Sequence, residues 1–149
     1  MVKRNWPDQI EIILVEKKAL AYWNNESLLS DVGELFTPRR TSFPNDLPQF
    51  IGESGKQIVM LKHYHEMHRL LLPLHVNISY LELTPYLTWK IKLNNGITLR
   101  VGHKEILTRL IRFVKVYDKI VRGHAEDVDY IDLRYSNGMA VRFREKATA

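Results

Sequence analysis

The chain has 149 residues with 45% hydrophobic and 26% charged side chains, which is typical of one globular domain with a buried core. The absence of cysteine excludes a disulfide scaffold, a cysteine nucleophile and a cysteine zinc site, but leaves the cellular compartment open. The net charge of +5 is dispersed along the sequence, which favours a solvated surface over a nucleic-acid site, and no window approaches the about 20 apolar residues of a membrane span.

The first third of the chain predicts short strands. Residues 10–15 (IEIILV) and Ala19–Trp23 are apolar runs typical of strands, and residues 28–36 predict a hairpin. Residues 37–46 are rich in turn formers and predict a loop. Residues 47–51 predict a brief strand, which Pro48 restricts to a sheet edge or to a strand start because proline lacks the N–H group.

The first predicted helix follows at once. Ser54 and Gln57 match a capping box, in which each side chain satisfies a free backbone N–H of the first turn. Apolar residues then recur at helical spacing until Pro73, which ends the helix. The predicted buried face consists of Met60, Leu61, Tyr64, Met67, His68, Leu71 and Leu72.

Three strands and a second helix come next. Residues 76–83 alternate, with Ile78, Tyr80 and Glu82 predicted on one face, and residues 88–93 and 97–101 predict a hairpin. Residues 104–121 predict a helix that Gly123 ends. Strands outnumber helices and most connections are short. We therefore expect an α+β fold, with a curved, mostly antiparallel sheet and two helices packed on one of its faces.

The last predicted element is a hairpin in the segment VDYIDLRYSNGMAVRF, which begins at Val128. Asn137 and Gly138 predict a type I′ turn, since both residue types tolerate positive φ. An ungapped similarity between KIKLNNGITLRV and DLRYSNGMAVRF predicts the same turn chemistry in both hairpins. The outgoing strand, Met139 to Phe143, lies near the end of the chain. We therefore expect an uncovered sheet edge, which either recruits a partner or is simply protected by charge.

Two further functions have weak sequence support. His63, His65 and His68 on the first helix resemble a metal site, but their spacing departs from H-E-x-x-H by one residue. A basic nucleic-acid-binding domain is the other alternative, although Arg109, Arg112, Lys115, Lys119 and Arg122 do not form one stripe with exposed aromatic residues.

Other short motifs predict no chemistry. The segment GESGK at residues 52–56 lacks the glycine spacing of a phosphate-binding loop. Asp127 and Asp129 are expected to point away from Asp132, so no catalytic carboxylate pair follows from their spacing.

Several segments together resemble the periplasmic part of the bacterial cell-division family FtsQ/DivIB. They occur in order along nearly the whole chain: RNWPD, IEIILVE, AYWN, WKIKLNNG, RLIRFV and YIDLRYSNGMAV. By this resemblance, residues 1–23 correspond to the last strands of a POTRA domain and residues 24–149 to the family's β domain. The membrane helix and most of the POTRA domain of family members have no counterpart in these residues.

The resemblance implies a scaffold on the periplasmic side of the inner membrane, without catalysis, cofactor, metal, nucleic acid or small-molecule substrate. Its expected protein partners are FtsB and FtsL, with a strand of FtsB added to the last strand of the sheet. Arg134 would pair with an acidic partner residue and Tyr135 would act as an aromatic anchor. Asn137 and Gly138 would form the turn, and the backbone groups available for pairing would belong to Met139, Ala140, Val141, Arg142 and Phe143.

Overall fold

A computed structural model of the chain describes residues 18–121 and 123–145, and the strand predicted at residues 10–15 lies outside them. The short strands of the first half are β1 (Ala19–Trp23), β2 (Ser27–Ser30), β3 (Leu35–Phe36) and β4 (Gln49–Ile51). The remaining elements are α1 (Gln57–Leu71), β5 (Ile78–Leu83), β6 (Trp89–Leu93), β7 (Thr98–Gly102), α2 (Ile106–Val121), β8 (Val128–Asp132) and β9 (Ala140–Phe143).

The strands of the described residues form one nine-stranded sheet in the order β3-β2-β1-β4-β5-β6-β7-β8-β9. The pairs β1–β4, β4–β5 and β7–β8 are parallel, whereas the other neighbours are antiparallel. α1 connects β4 to β5 and α2 connects β7 to β8, so each helix is a crossover between adjacent parallel strands. Both crossovers proceed in the same direction along the sheet, and the right-handed rule places both helices on one face. The helices also contact each other. The predicted α+β class is confirmed.

The core is organised around one row of residues that crosses the sheet from β1 to β9. Each member is the register partner of the next, and each side chain lies on the helix face. The row is buried along its whole length except at its last member, Val141, which is half-buried. Met60, Met67, Leu110 and Phe113 of the helices are fully buried in the same core. The buried row consists of Trp23, Phe50, Leu81, Ile91, Leu99, Ile131 and Val141.

Three local predictions are corrected. The capping box is wrong, because a turn between Glu53 and Lys56 delays α1, and no side chain caps the helix at Lys56. The strand after Pro48 is β4, which lies inside the sheet between β1 and β5. The predicted sheet edge is therefore wrong, and the alternative that Pro48 precedes a strand start is confirmed. The simple alternation predicted for residues 76–83 is wrong, because a register shift between Ile78 and Tyr80 buries Ile78 with Leu81.

β1 has neighbours on both sides, since it pairs with β2 and with β4. Ala19–Trp23 is therefore part of the same sheet as the later strands. The preceding residues of the predicted POTRA remnant lie outside the described residues, and the division of the chain at residue 23 stays a prediction.

Candidate protein-interaction edge

β9 is the last strand of the sheet and pairs with β8 on one side. The N–H of Arg144 donates to the carbonyl of Asp127 at 2.7 Å, which turns the backbone of Arg144 towards β8. Because backbone groups alternate between the two sides of an antiparallel strand, Ala140 and Arg142 also bond to β8. The N–H and C=O groups of Val141 and Phe143 therefore point away from the sheet. We call this outward backbone the β9 edge.

The side chains of β9 alternate between the two faces of the sheet, with Val141 and Phe143 on the helix face. Val141 lies opposite Ile131 on the helix face, and Phe143 lies opposite the buried Val128. The Phe143 side chain is nevertheless 55% exposed, because no further strand covers it in the part of the chain that the structure describes. Among the described residues, the β9 edge thus combines backbone groups that face no further strand with an exposed aromatic ring.

The connection between β8 and β9 differs from the predicted two-residue turn. β8 ends at Asp132 and β9 begins at Ala140, so residues 133–139 form a loop, which we call the β8–β9 loop. Neither Asn137 nor Gly138 has positive φ, which a type I′ turn requires of both. The predicted turn is therefore wrong, and the two similar hairpins do not share their turn chemistry. In the other hairpin Gly96 has a φ of +94°, and Asn95 accepts from the N–H of Ile97.

The β8–β9 loop is held by an arginine from α2. Arg112 Nη1 donates to the carbonyls of Tyr135 at 3.1 Å and Gly138 at 3.5 Å, and its Nη2 donates to the carbonyl of Ser136 at 3.0 Å. Met139, the last loop residue, packs against the core. Sequence reasoning missed this role for Arg112, because nothing in the local pattern of α2 indicates a contact more than 20 residues away.

The predicted site residue Arg134 already has an acidic partner. Its Nε donates to Asp132 Oδ1 at 2.8 Å, its Nη2 donates to Oδ2 at 2.7 Å, and its backbone N–H donates to Oδ1 at 3.0 Å. Hydrogen bonds from the guanidinium hold the pKa of the Asp132 carboxyl below its usual range. This pair uses Nε and Nη2 of the guanidinium, and Nη1 takes no part in it.

Tyr135 follows Arg134 in the loop, and its side chain is 56% exposed. Its carbonyl is one of the three that Arg112 binds, so its backbone is tied to α2 while its ring faces solvent. The structure therefore brings Tyr135, the β8–β9 loop and β9 together at one end and edge of the sheet.

The histidine cluster is not gathered into one site. The His63 ring stacks on Trp89, whereas the His68 ring stacks on Tyr64. Within residues 18–121 and 123–145, no group of three or more histidine or acidic side chains is placed to hold a metal ion. The three aspartates are also separated in their contacts: Asp132 pairs with Arg134, while Asp127 lies near His124 and Asp129 near Arg144.

The face of the sheet opposite the helices carries basic and aromatic residues that sequence reasoning did not group. Lys92 Nζ lies 5.1 Å from the centre of the Tyr80 ring, and the Arg100 guanidinium lies 4.0 Å from that of Tyr130. A cation thus covers each ring. Stacking of nucleic-acid bases needs free aromatic faces, so this arrangement does not strengthen the nucleic-acid alternative.

Comparison with known proteins identifies the family. The family model described as cell division protein FtsQ/DivIB, C-terminal, matches residues 21–134. The chain belongs to the FtsQ/DivIB family. The resemblance predicted from the sequence is confirmed, although this match ends just before the outer part of the β8–β9 loop and β9.

Curated relatives named cell division protein FtsQ align with nearly the whole chain. The Coxiella burnetii protein is 33% identical over 96% of this chain and 59% of its own length. The Burkholderia pseudomallei protein is 32% identical over 95% and 58%, and the Escherichia coli protein is 34% identical over 94% and 52%. The chain thus spans a little more than half of the length of these FtsQ proteins. None of the helices in the described ranges is long and apolar enough to cross a bilayer.

Proposed function

We propose that this chain is a non-enzymatic scaffold domain of the bacterial division machinery and binds the FtsB–FtsL complex by β-strand addition at the β9 edge. The observation that carries this proposal is the outward backbone of Val141 and Phe143, which offers donors and acceptors to an incoming strand. Membership in the FtsQ/DivIB family supports the assignment to cell division. The proposed contact residues are Arg134, Tyr135, Asn137, Gly138, Met139, Ala140, Val141, Arg142 and Phe143.

Within this surface the residues have different roles. The backbone of Val141 and Phe143 would pair with the incoming strand, while the exposed rings of Tyr135 and Phe143 would pack against it. Arg142 lies on the face of the sheet opposite the helices and has no ion pair within the described residues. Arg142 and Nη1 of Arg134 would therefore meet acidic side chains of the partner.

The proposal also covers location. As part of a family member, this domain would lie on the periplasmic side of the inner membrane, anchored by a preceding membrane helix. It would require no cofactor, metal, nucleic acid or small-molecule substrate, since its function would be to hold protein partners together at the division site.

A backbone substitution tests strand addition directly. Val141→Pro removes an N–H that points away from β8, so it should weaken binding of a purified periplasmic FtsB–FtsL fragment at least about tenfold while the fold persists. Val141→Thr is the matched control, because it keeps the N–H group and the β-branched shape, and its affinity should stay near that of the parent. Equal affinities of the two variants, measured by calorimetry, would reject strand addition at β9.

Side-chain substitutions test the aromatic contacts separately. Tyr135→Ala and Phe143→Ala should each weaken the same complex, because each removes an exposed ring next to the β9 edge. Val32→Ala is the control, since Val32 is also exposed but lies in the turn between β2 and β3 at the opposite end of the sheet. If all three variants bind alike, the proposed surface is wrong.

A further inference from the structure

The β8–β9 loop has little internal support. Leu133 donates its N–H to the carbonyl of Arg100 at 2.8 Å, which fixes the start of the loop to β7. Beyond it, no hydrogen bond between main-chain groups forms within residues 134–139 of the described chain. A loop of this length without turn bonds samples many conformations unless side chains restrain it.

Arg112 supplies that restraint from outside the loop. Its guanidinium contacts the carbonyls of Tyr135, Ser136 and Gly138, so a single planar group spans most of the loop. Hydrogen bonds from a charged donor are stronger than neutral ones, and the fork of N–H groups fits several acceptors at once. A lysine ammonium at this position could not reproduce the same planar arrangement.

The helix that carries Arg112 is itself firmly placed. Leu110 and Phe113 lie on either side of Arg112 in the sequence and are fully buried in the core. The guanidinium therefore projects from a rigid element. The three carbonyls are held on the α2 side of the loop, which leaves the exposed ring of Tyr135 available to another molecule.

We propose that Arg112 is a positioning residue, which fixes the β8–β9 loop so that Tyr135 and the beginning of β9 are preorganised for an incoming strand. The part of this inference that concerns binding rests on the proposed function above. The restraint itself concerns only this chain. A preorganised loop binds more tightly, since the cost of ordering it is met in the free protein.

The restraint is tested without any partner, by backbone ¹⁵N relaxation of the purified chain. In the parent protein, the order parameters of Ser136, Asn137 and Gly138 should be close to the about 0.85 of rigid backbone. Arg112→Gln should lower them to below about 0.6, with Arg112→Lys in between, while the thermal unfolding temperature changes little. Lys115→Gln is the matched control, because Lys115 is exposed one turn further along α2. A loop that is mobile in the parent, or unchanged in Arg112→Gln, would overturn the restraint.

The binding arm then uses the periplasmic FtsB–FtsL fragment with Val141→Pro as the reference. If the loop of Arg112→Gln occupies its competent conformation about a tenth of the time, the affinity falls about tenfold. Unchanged affinity in Arg112→Gln, together with a mobile loop, would overturn the link between positioning and binding. Unchanged affinity in Val141→Pro would instead reject the proposed function, and the relaxation result for Arg112 would stand independently of it.

Discussion

Arg134 binds Asp132 through two parallel hydrogen bonds between guanidinium and carboxylate, of 2.8 Å and 2.7 Å. The two residues are separated by one position, at the point where β8 ends and the β8–β9 loop begins. The Asp132 side chain is nearly buried, whereas that of Arg134 is 56% exposed. The pair therefore connects the interior of the sheet edge to the proposed binding surface.

Substitution Asp132→Asn should lower the free energy of unfolding by about 1 kcal/mol. The asparagine oxygen can still accept one of the two hydrogen bonds, but its NH2 group is a donor and cannot accept the other from Arg134. Because the guanidinium is exposed, the loss of unfolding free energy is smaller than that for a buried ion pair. Urea denaturation at neutral pH measures this difference. Asp129→Asn is the control, since Asp129 is half-exposed and lies 3.9 Å from Arg144, and its effect should be close to zero. Equal effects of both substitutions would contradict a stabilising role for the Asp132–Arg134 pair.

The same pair predicts a dependence of stability on pH. Hydrogen bonds from Arg134 lower the pKa of Asp132 in the folded chain relative to the ordinary value of 3.8. Because the folded pKa is depressed, the stabilisation is fully present above pH 3.8 and is lost as the pH falls through the folded pKa. The difference in unfolding free energy between the parent and Asp132→Asn should therefore shrink below pH 3.8. A difference that stays constant down to pH 2, a pH within about two units of an unperturbed aspartate, would argue against this pKa shift.

Gly102 adjoins Arg134 and requires a glycine for two reasons. Its φ is +84°, and a Cβ atom there would lie 3.0 Å from Arg109 Nη1 and 3.1 Å from Arg134 Cγ. Gly102→Ala should therefore destabilise the fold by about 2 kcal/mol, from backbone strain and from displacement of the two arginines. Gly55→Ala provides the comparison, because Gly55 has a φ of +91° but a Cβ atom added there would meet no atom within 4 Å, so it should cost only about 1 kcal/mol. Equal losses in thermal or urea unfolding would show that the arginines yield without cost.

Tyr117 ties the other hairpin loop to α2. Its hydroxyl accepts a hydrogen bond of 2.9 Å from Asn95 Nδ2, and Asn95 lies in the turn between β6 and β7. Tyr117→Phe should cost about 1 kcal/mol of unfolding free energy, because the Asn95 amide loses a part-buried partner. Tyr86→Phe should have no effect, since the Tyr86 side chain is 86% exposed. A similar loss in both variants would contradict a specific contribution of the Asn95–Tyr117 bond.

The sequence predicted the elements better than their connections. Periodic apolar residues predicted both helices and most strands, because burial of one face determines those patterns locally. The loop at Asn137 and Gly138 could not be predicted in the same way, since Arg112, whose guanidinium binds the carbonyls of this loop, is distant in sequence. The capping box failed for a related reason. A turn at Glu53–Lys56 competes with helix formation at Ser54, and local propensities do not decide between them.

The sequence predicted the position of the sheet edge but not the side-chain contacts beside it. The position of β9 at the end of the sheet follows from the order of elements in the chain. The intramolecular partner of Arg134 was missed, because the resemblance assigned Arg134 to an acidic residue of another protein, whereas it binds Asp132. β8 ends at Asp132, and Arg134 lies two residues further on, where its guanidinium reaches the Asp132 carboxylate.

The buried row that ends at Val141 has a consequence for any tenth strand. Its members on β6 and β7, Ile91 and Leu99, alternate with polar neighbours along their strands, and Val141 is the half-buried member that an added strand would cover. A strand added at β9 would have to place an apolar residue beside Val141, with its polar residues on the face of the sheet opposite the helices. A slip of one position would reverse every side chain of the added strand. The sheet would therefore favour partner strands whose alternating apolar residues fall on the helix face when the strand pairs with β9.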